Sequence, residues 1–231
     1  MKRFYKQVAV VPDGEGFAVR LDGRPIRTPA RAPLVLPTRA LAERIAAEWD
    51  AQQDEVRPQT MAMTGMANAT IDLMATRRDE IVADVAGYAG TDLLCYRAHA
   101  PAELRALQDG GWQPLVDWAE SHLGLRFVVT AGIVPVDQEP GLVEAARLHL
   151  DTYDDFTMVG ASKLTHGTGS VVLAMAVIEG RITADEAFAL SQIDELWQES
   201  LWGADDEAVE FRRALRQDLL DAADFAWLAR G

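Results

Sequence analysis

The sequence has 231 residues, 49% of them hydrophobic, which suits one large domain or two small ones with an ordinary core. Its 22 basic and 36 acidic side chains give a formal net charge of −14. Such a surface repels nucleic-acid phosphates and anionic membranes, so neither is expected as a partner. No run of about 18 apolar residues is present, and no bilayer-spanning segment is expected.

Cysteine usage and the first residues predict a compartment. Cys95 is the single cysteine, which cannot form an internal disulfide and suits a reducing compartment. The opening stretch "MKRFYKQVAVV" lacks a secretory hydrophobic segment with a cleavage site, and it lacks a leader rich in serine and arginine. The sequence therefore predicts a cytoplasmic protein.

Short apolar and β-branched segments dominate the first residues. "FYKQVAVV", "GFAVRLD" and "PIRTP" have the pattern of strands, and Asp22-Gly23 between the last two is a strong hairpin signal. The segment "TRALAERIAAEWDAQQ" follows with helical spacing of its apolar residues, and Thr38 is its expected N-cap. Residues 1–60 are therefore predicted to form a small antiparallel β-rich domain with one helix.

A helical period of about 3.6 prevails after residue 60. Gly, Pro or Asp turns separate most of the predicted helices, and "LRFVVTAGIVPV" is one extended interruption. The predicted helices span residues 65–89, 101–123, 139–151, 156–178, 184–202 and 205–229. The predicted fold class is α+β, with an irregular, orthogonal α-helical bundle over residues 61–231.

The helix that follows Thr38 becomes polar in its last turns. Glu48 and Gln52 project on nearly the same side as Leu41 and Ile45. Either the helix leaves the core there, or Glu48 is buried and finds an arginine or backbone donors. The neighbouring Trp49 implies continued packing and favours burial, so Glu48 and Trp49 are expected to be structural.

The sequence shows no ligand pattern for a metal or a phosphate. The histidines are far apart, with no pair at ligand spacing, and they are His99, His122, His149 and His166. "HGTGS" at 166–170 resembles a fragment of a phosphate loop but lacks the Gly-Lys-Ser/Thr ending. A turn capped by Thr168 or Ser170 is the better interpretation. No cofactor, metal or small-molecule substrate is expected.

Patterns for acid–base or nucleophilic catalysis are equally weak. Ser162 and Lys163 are adjacent, whereas a nucleophile and its base need about one helical turn between them to face each other, and no Gly-x-Ser-x-Gly elbow is present. With 36 acids in the chain, closely spaced carboxylates arise often as solvated faces. No motif therefore demands an enzyme.

The segment "DELWQESLWGADDEAVEF", residues 194–211, contains two tryptophans among seven carboxylates. At about 100° per residue, an apolar stripe is expected to face the core. This stripe contains Leu190, Ile193, Trp197 and Leu201. A second, mainly polar flank contains Ser191, Glu195, Gln198 and Trp202. Gly203 is expected to end the helix, and Asp205 to begin the next one.

Two interpretations of Trp202 remain open on periodicity. In the first, Trp202 folds back over a neighbouring helix and Glu195 is merely solvated. In the second, Trp202 is a docking anchor for another protein, since aromatic anchors with a polar surround carry most interface energy. The second interpretation assigns partner binding to one set of residues. This set is Glu195, Gln198, Glu199, Trp202 and Asp205.

Seven blocks in order are similar to those of a known family, and they cover nearly the whole chain. They are "RFYKQVAV", "LDGRPIRTPAR", "IAAEWDAQ", "TGMANATID", "TDLLCYRA", "WQPLVDWA" and "DELWQESLWG". The family is the assembly factor dedicated to the alpha subunit of the catalytic head of F-type ATP synthase. The resemblance implies a chaperone without nucleotide or metal, with a small β-containing N-terminal domain and a helical domain.

The resemblance also implies a partner and a mode of action. Members bind the unassembled alpha subunit, cover the surface that later meets the beta subunit, and so prevent aggregation. The absence of an import leader here points to a bacterial, alphaproteobacterial member. An acidic position that matters in the family's last helices matches Glu195 here.

Two rival classes stay open beside the chaperone. A small hydrolase using Glu195 with Asp194 or Glu199 predicts a concave pocket containing a carboxylate with a raised pKa. A general interaction scaffold predicts binding to several unrelated partners. Selective capture of one ATP synthase subunit would separate the three.

Overall fold

The computed structural model describes residues 1–132 and 134–231, and its architecture confirms the predicted α+β class. The strands are β1 (Val8–Asp13), β2 (Gly16–Leu21), β3 (Arg24–Pro25), β4 (Val35–Leu36), β5 (Tyr96–Arg97) and β6 (Thr130–Ala131). The helices up to the middle of the chain are α1 (Arg39–Asp50), α2 (Ala62–Ala69), α3 (Ala75–Gly87) and α4 (Ala102–Leu123). The later helices are α5 (Leu142–Leu150), α6 (Asp155–Thr168), α7 (Val171–Ile178), α8 (Ala184–Ser191), α9 (Ile193–Trp202) and α10 (Asp206–Arg230).

The antiparallel sheet is built on β2, which pairs with β1, β3 and β4. The Asp22-Gly23 hairpin is confirmed, because Leu21 pairs with Arg24 across a two-residue turn. Both turn residues have positive φ, 47° at Asp22 and 80° at Gly23, as a type I′ turn requires. The turn thus sets the register of this edge of the sheet.

Helix α1 begins where the sequence predicts. The Thr38 hydroxyl accepts a hydrogen bond from the Leu41 N–H at 3.1 Å, which satisfies one donor of the first turn. Leu41 and Ile45 are fully buried, and so α1 packs its apolar face into the core beside β1 and β2.

Three predicted helices are interrupted, which corrects their predicted extents. The span 65–89 contains a π-helical turn at Thr70–Met74 between α2 and α3. The span 156–178 breaks at Gly169, whose φ is 72°, and Ser170 then caps α7 by accepting from the Leu173 N–H at 3.0 Å. The span 184–202 breaks at Gln192, whose φ of −108° and ψ of 15° lie outside the helical region.

The chain forms two compact units. The first comprises Met1–Arg78, Asp154–Gly160 and Asp224–Gly231, and the second comprises Asp79–Tyr153 and Ala161–Ala223. The two units are defined by which residues contact one another in space, whereas the division into residues 1–60 and 61–231 is predicted from the periodicity of the sequence. That division stays a prediction.

Each unit has its own buried core. In the first unit, β2 and β4 contribute Val19 and Leu36, α1 contributes Ile45, and α10 contributes Phe225, all essentially inaccessible. In the second unit, all eight residues of α7, "VVLAMAVI", are buried. A helix that is apolar on every side is stable only when it is enclosed, so α7 forms the centre of this unit.

Candidate protein-docking surface

Helix α9 and the beginning of α10 expose several large apolar side chains. The exposed fraction is 84% for Trp202, 66% for Phe211 and 59% for Leu201, and Leu196 and Val209 are also exposed. We call this region, residues 195–211, the α9–α10 surface. Concentrations of large exposed apolar side chains on a folded protein commonly mark sites of interaction with another protein.

Carboxylates accompany the apolar side chains of the α9–α10 surface. The exposed acidic residues are Glu195, Asp205, Asp206, Glu207 and Glu210. An aromatic anchor among polar and charged side chains is the composition of a protein interface rather than of a folded core. The acidic character favours a partner with basic or amide-rich residues.

Helix α4 holds the beginning of α9 in place through buried contacts. The Gln108 side-chain amide donates to the Asp194 carboxylate at 2.5 Å and accepts from the Ala98 N–H at 2.6 Å. The Trp112 indole N–H donates to the Leu190 carbonyl at 2.9 Å. Gln108 and Trp112 are essentially inaccessible, so the base of the α9–α10 surface is anchored to the core.

Gly203 ends α9, as predicted, and Asp205 precedes α10. The φ of 89° at Gly203 is favourable only for a residue without a Cβ atom. Beyond the turn, the Arg212 guanidinium of α10 donates to the Glu199 carboxylate of α9. This ion pair is partly buried and links the two helices behind the turn that carries Trp202.

The structure separates the predicted partner-binding residues into two environments. Glu195, Gln198, Trp202 and Asp205 are exposed, whereas Glu199 is half-buried in its ion pair. The exposure of Trp202 rules out the interpretation in which it folds back over a neighbouring helix. Glu199 is thus already engaged within the chain, and the other four are available to a partner.

The predicted core stripe of this segment is wrong at its end. Leu201 is exposed, Ile193 and Trp197 are only half-buried, and α9 contains no fully buried residue. The break at Gln192 interrupts the periodicity on which the stripe was based. Phe211 and Val209 were not among the predicted docking residues, although their position beside consecutive acids in "ADDEAVEF" is a signal of exposure.

Glu48 is buried, as the sequence analysis favoured, and backbone donors satisfy it. Its carboxylate accepts hydrogen bonds from the Met63 N–H, the Thr64 N–H and the Thr64 hydroxyl, each at 2.8 Å. These two N–H groups lie in the first turn of α2, where the helix supplies no acceptor of its own. Glu48 of α1 therefore caps α2 and belongs to the core of the first unit.

Trp49 packs against the N-terminal segment in the first unit. Its ring makes an edge-on contact with the Tyr5 ring at 5.7 Å between centroids, and the Tyr5 hydroxyl donates to the Trp49 carbonyl at 2.6 Å. The Trp49 indole N–H is buried without a hydrogen-bond partner in the described chain. Half-buried and in contact with Tyr5, Trp49 packs the N-terminal segment against α1.

The carboxylates next to Glu195 are unsuited to the hydrolase alternative. Asp194 accepts from Gln108, and Glu199 is held by Arg212, so both acids beside Glu195 are committed to structural contacts. Glu195 itself is exposed to solvent, so it lacks the water-excluded environment that strengthens electrostatic interactions in an active site. These contacts leave Glu195 without an available second carboxylate for acid–base work.

Ser162, His166 and Asp84 approach one another on the second unit but do not form a nucleophilic triad. His166 Nδ1 lies 2.7 Å from the Ser162 carbonyl and 3.4 Å from its hydroxyl, and Nε2 lies 2.9 Å from Asp84 Oδ2. A carbonyl oxygen can only accept, so Nδ1, the ring nitrogen nearest the Ser162 hydroxyl, is a donor in this geometry. Nδ1 then has no lone pair to take the serine proton.

Membrane-spanning helices and metal-binding clusters are both absent from residues 1–132 and 134–231. Within these ranges, none of the helices has the length and apolar character needed to cross a membrane. The same ranges contain no group of three or more His, Cys, Asp or Glu side chains arranged to hold a metal ion.

Comparison with known proteins agrees with the chaperone resemblance. A crystal structure of Atp12 from Paracoccus denitrificans is 41% identical, with a TM-score of 0.95 over 99% of this chain and 98% of that one, and a point mutant of the same protein gives the same values. A crystal structure of a protein from Agrobacterium tumefaciens, described as a chaperone candidate, is 40% identical, with a TM-score of 0.92 over 100% of this chain and 86% of that one.

A more distant relative and a family profile extend this agreement. "Protein atp12, mitochondrial" of Schizosaccharomyces pombe is 24% identical over 221 residues, which span 90% of this chain and 76% of that protein. The sequence profile of the ATP12 chaperone proteins matches residues 2–120. The chain belongs to the ATP12 chaperone protein family.

Proposed function

We propose that this chain is an assembly chaperone of F-type ATP synthase that binds the unassembled alpha subunit and prevents its aggregation until the beta subunit takes its place. Membership of the ATP12 chaperone family supports the chaperone function. The seven sequence blocks that resemble the family support the alpha subunit as the client. The observation that carries the docking site is the 84% exposure of Trp202 among acidic side chains.

Such a function needs a surface and no chemistry. An unassembled subunit of a ring exposes interfaces that are nearly as apolar as a protein core, and such surfaces aggregate when no partner covers them. A chaperone supplies a complementary surface that binds tightly enough to protect and weakly enough to release. Dissociation constants from micromolar to about 10 nM correspond to about 8 to 11 kcal/mol. The chain therefore acts without a cofactor, a metal or a small-molecule substrate.

The cytoplasm of a bacterium is the proposed place of action. The single cysteine, Cys95, is buried and free, as suits a reducing compartment. Relatives from Paracoccus denitrificans and Agrobacterium tumefaciens support a bacterial setting. The acidic surface disfavours nucleic acid and anionic membrane as partners.

The first experiment is selective capture. The purified, tagged chain is mixed with a bacterial lysate that contains ATP synthase subunits in unassembled form, and the bound proteins are identified by mass spectrometry. We expect the alpha subunit to be enriched over the beta subunit and over unrelated proteins. Capture of many unrelated proteins in similar amounts would instead support a general scaffold.

Substitutions on the α9–α10 surface test the docking site. Trp202→Ala should weaken binding to the alpha subunit by about thirty- to a thousandfold, since removing an interface anchor costs about 2 to 4 kcal/mol. Glu195→Ala should cost less because a rim charge contributes less. Glu195→Lys should cost more than Glu195→Ala, since it adds repulsion against a basic partner strip.

Trp227→Ala is the matched control, because Trp227 is an exposed tryptophan of α10 that lies outside the α9–α10 surface. It should leave affinity for the alpha subunit unchanged. The melting temperature of each variant is measured alongside. If Trp202→Ala and folded Glu195→Lys both bind the alpha subunit as the unmodified chain does, docking occurs on another surface.

A further inference from the structure

A cleft lies in the first unit, beside the hairpin turn at Asp22-Gly23. Its volume is about 610 Å³, within the range of about 300 to 1,000 Å³ that is typical of ligand sites. Its lining comes from the N-terminal residues, from the end of β2 with the segment that follows it, and from Trp49 of α1. None of these residues belongs to the α9–α10 surface.

The cleft has an apolar floor and an apolar mouth. Tyr5, Leu21 and Ile26 line it and are almost fully buried, so they form a floor fixed by the core. Phe4 also lines it but is 63% exposed, and its ring meets the Tyr5 ring edge-on at 5.3 Å between centroids. An exposed phenylalanine beside a preformed apolar recess is suited to enclosing another apolar side chain.

The charged groups of the cleft are cationic in balance. Arg24 and Arg27 line it, and both are exposed. The guanidinium group of Arg24 makes no hydrogen bond or ion pair among the described residues, and that of Arg27 donates only to the carbonyl of Arg31 at 2.8 Å. The Asp22 carboxylate also lines the cleft, but its oxygens accept from the N–H groups of Lys6 and Gln7 at 2.9 to 3.2 Å.

The segment that supplies nine of the ten lining residues has a net charge opposite to that of the whole chain. Residues 1–31 contain seven basic and three acidic side chains, a net charge of +4, whereas the complete chain carries −14. The remaining residues therefore carry −18. Asp22 offsets part of the Arg24 charge, since Arg24 helps to lower the pKa of the Asp22 carboxyl after the N–H groups of Gln7 and Lys6. The Arg24 and Arg27 guanidinium groups can still form paired hydrogen bonds with carboxylates at this apolar recess, which arginine does better than lysine.

We infer that this cleft binds an acidic segment of a protein partner, with a large apolar side chain in the recess and carboxylates on Arg24 and Arg27. The chaperone family supports a protein segment as the occupant, and the charge of residues 1–31 selects an acidic one. That this partner is the same client as the one on the α9–α10 surface rests on the proposed function. The client would then meet two surfaces of opposite charge.

A peptide titration tests the cleft directly on the full chain. The probe is a short fluorescein-labelled peptide in which leucine or phenylalanine alternates with glutamate, and binding is measured by fluorescence anisotropy. We expect saturable binding that weakens with added salt. The double variant Arg24→Glu/Arg27→Glu should bind at least about tenfold more weakly, and Phe4→Ala should also lose affinity.

Two control variants match these changes. Arg39→Glu/Arg44→Glu alters the net charge equally on exposed arginines of α1 outside the cleft, and Trp227→Ala removes an aromatic side chain that is 52% exposed and lies outside both the cleft and the α9–α10 surface. Both controls should bind the peptide as the unmodified chain does. Circular dichroism establishes that each variant is folded.

Several results would overturn the inference. One is equal binding of a peptide that has lysine in place of glutamate. Another is unchanged peptide binding by Arg24→Glu/Arg27→Glu. A third is self-association of the unmodified chain that Arg24→Glu/Arg27→Glu abolishes, which would make a second copy of the chain the occupant. Capture of the alpha subunit is measured on the same proteins. Failure of the unmodified chain to bind the peptide, with intact capture, refutes the cleft alone, whereas peptide binding by the unmodified chain without capture refutes the proposed function alone.

Discussion

At the scale of single residues, Glu48 is a buried carboxylate that two backbone N–H groups and a hydroxyl satisfy at 2.8 Å each. Glu48→Ala should lower the free energy of unfolding by about 2 to 4 kcal/mol, because it leaves the buried N–H groups of Met63 and Thr64 without acceptors. Urea denaturation measures this loss. Glu43→Ala, an exposed glutamate of the same helix, should change stability by less than about 0.5 kcal/mol. Equal losses for the two variants would refute the capping role.

Asp92 makes stability depend on pH. Complete burial raises the pKa of its carboxyl from 3.8 to about 6, although hydrogen bonds from the Leu94 N–H, the Ser170 hydroxyl and the Val172 N–H oppose this rise. Because the folded state holds this proton more tightly than the unfolded chain, the contribution is fully present below the unfolded pKa. It is lost as pH rises through about 6.

The corresponding variant is Asp92→Asn, which cannot titrate. We expect the unmodified chain to lose unfolding free energy relative to Asp92→Asn between about pH 4 and pH 7. Urea denaturation at several pH values measures the difference between the two curves. Parallel curves over this window would show that Asp92 keeps the same protonation state in the folded and unfolded chains.

At the scale of elements, the pairing of β2 with β4 depends on a residue without a side chain. A Cβ atom on Gly16 would lie 2.5 Å from the Leu36 carbonyl oxygen and 2.9 Å from Val35 Cγ1. The first contact is with backbone, which cannot turn aside as a flexible side chain can. Gly16→Ala should therefore cost about 1 to 3 kcal/mol of stability, measured by thermal and urea denaturation.

Gly65→Ala is the control, since Gly65 lies inside α2 in the same unit and a Cβ atom there meets nothing within 4 Å. Alanine should leave stability unchanged or raise it by up to about 1 kcal/mol, because it favours the helix over the unfolded chain. A Gly16→Ala variant as stable as Gly65→Ala would mean that β2 and β4 separate without cost.

The sequence predicts where helices and hairpins occur better than it predicts where a helix is interrupted. The Asp22-Gly23 hairpin, the Thr38 cap and the extent of α4 follow from local rules that concern a few neighbouring residues. The break at Gln192 has no such local cause, because neither glycine nor proline occurs there. It accompanies contacts with distant residues, in which Leu190 and Asp194 bind Trp112 and Gln108 of α4.

The candidate surface was only partly predictable for the same reason. On a helical wheel, Trp202 lies on the polar flank whether or not the helix is continuous. Its exposure therefore follows from the helical period alone. The same helical wheel places Leu201 on the core-facing stripe. That prediction holds only if another element of the fold packs against the stripe. Only the three-dimensional structure shows that no packing partner covers Leu201 or Phe211 among the described residues.

At the scale of the whole molecule, charge and apolar contact should affect different steps of client capture. A net charge of −14 attracts a basic partner strip over distances beyond direct contact, which raises the association rate and is screened by salt. The indole of Trp202 acts only after contact, so it should govern dissociation. The affinity of the proposed complex combines both effects.

Stopped-flow measurement of both rate constants with the isolated alpha subunit separates these contributions. Raising NaCl from about 50 to 300 mM should lower the association rate constant about tenfold or more and change dissociation little. Trp202→Ala should raise the dissociation rate constant and keep the same salt dependence, because it alters no charge. A salt-independent association rate would refute long-range attraction, and a Trp202→Ala effect confined to association would refute the anchor role.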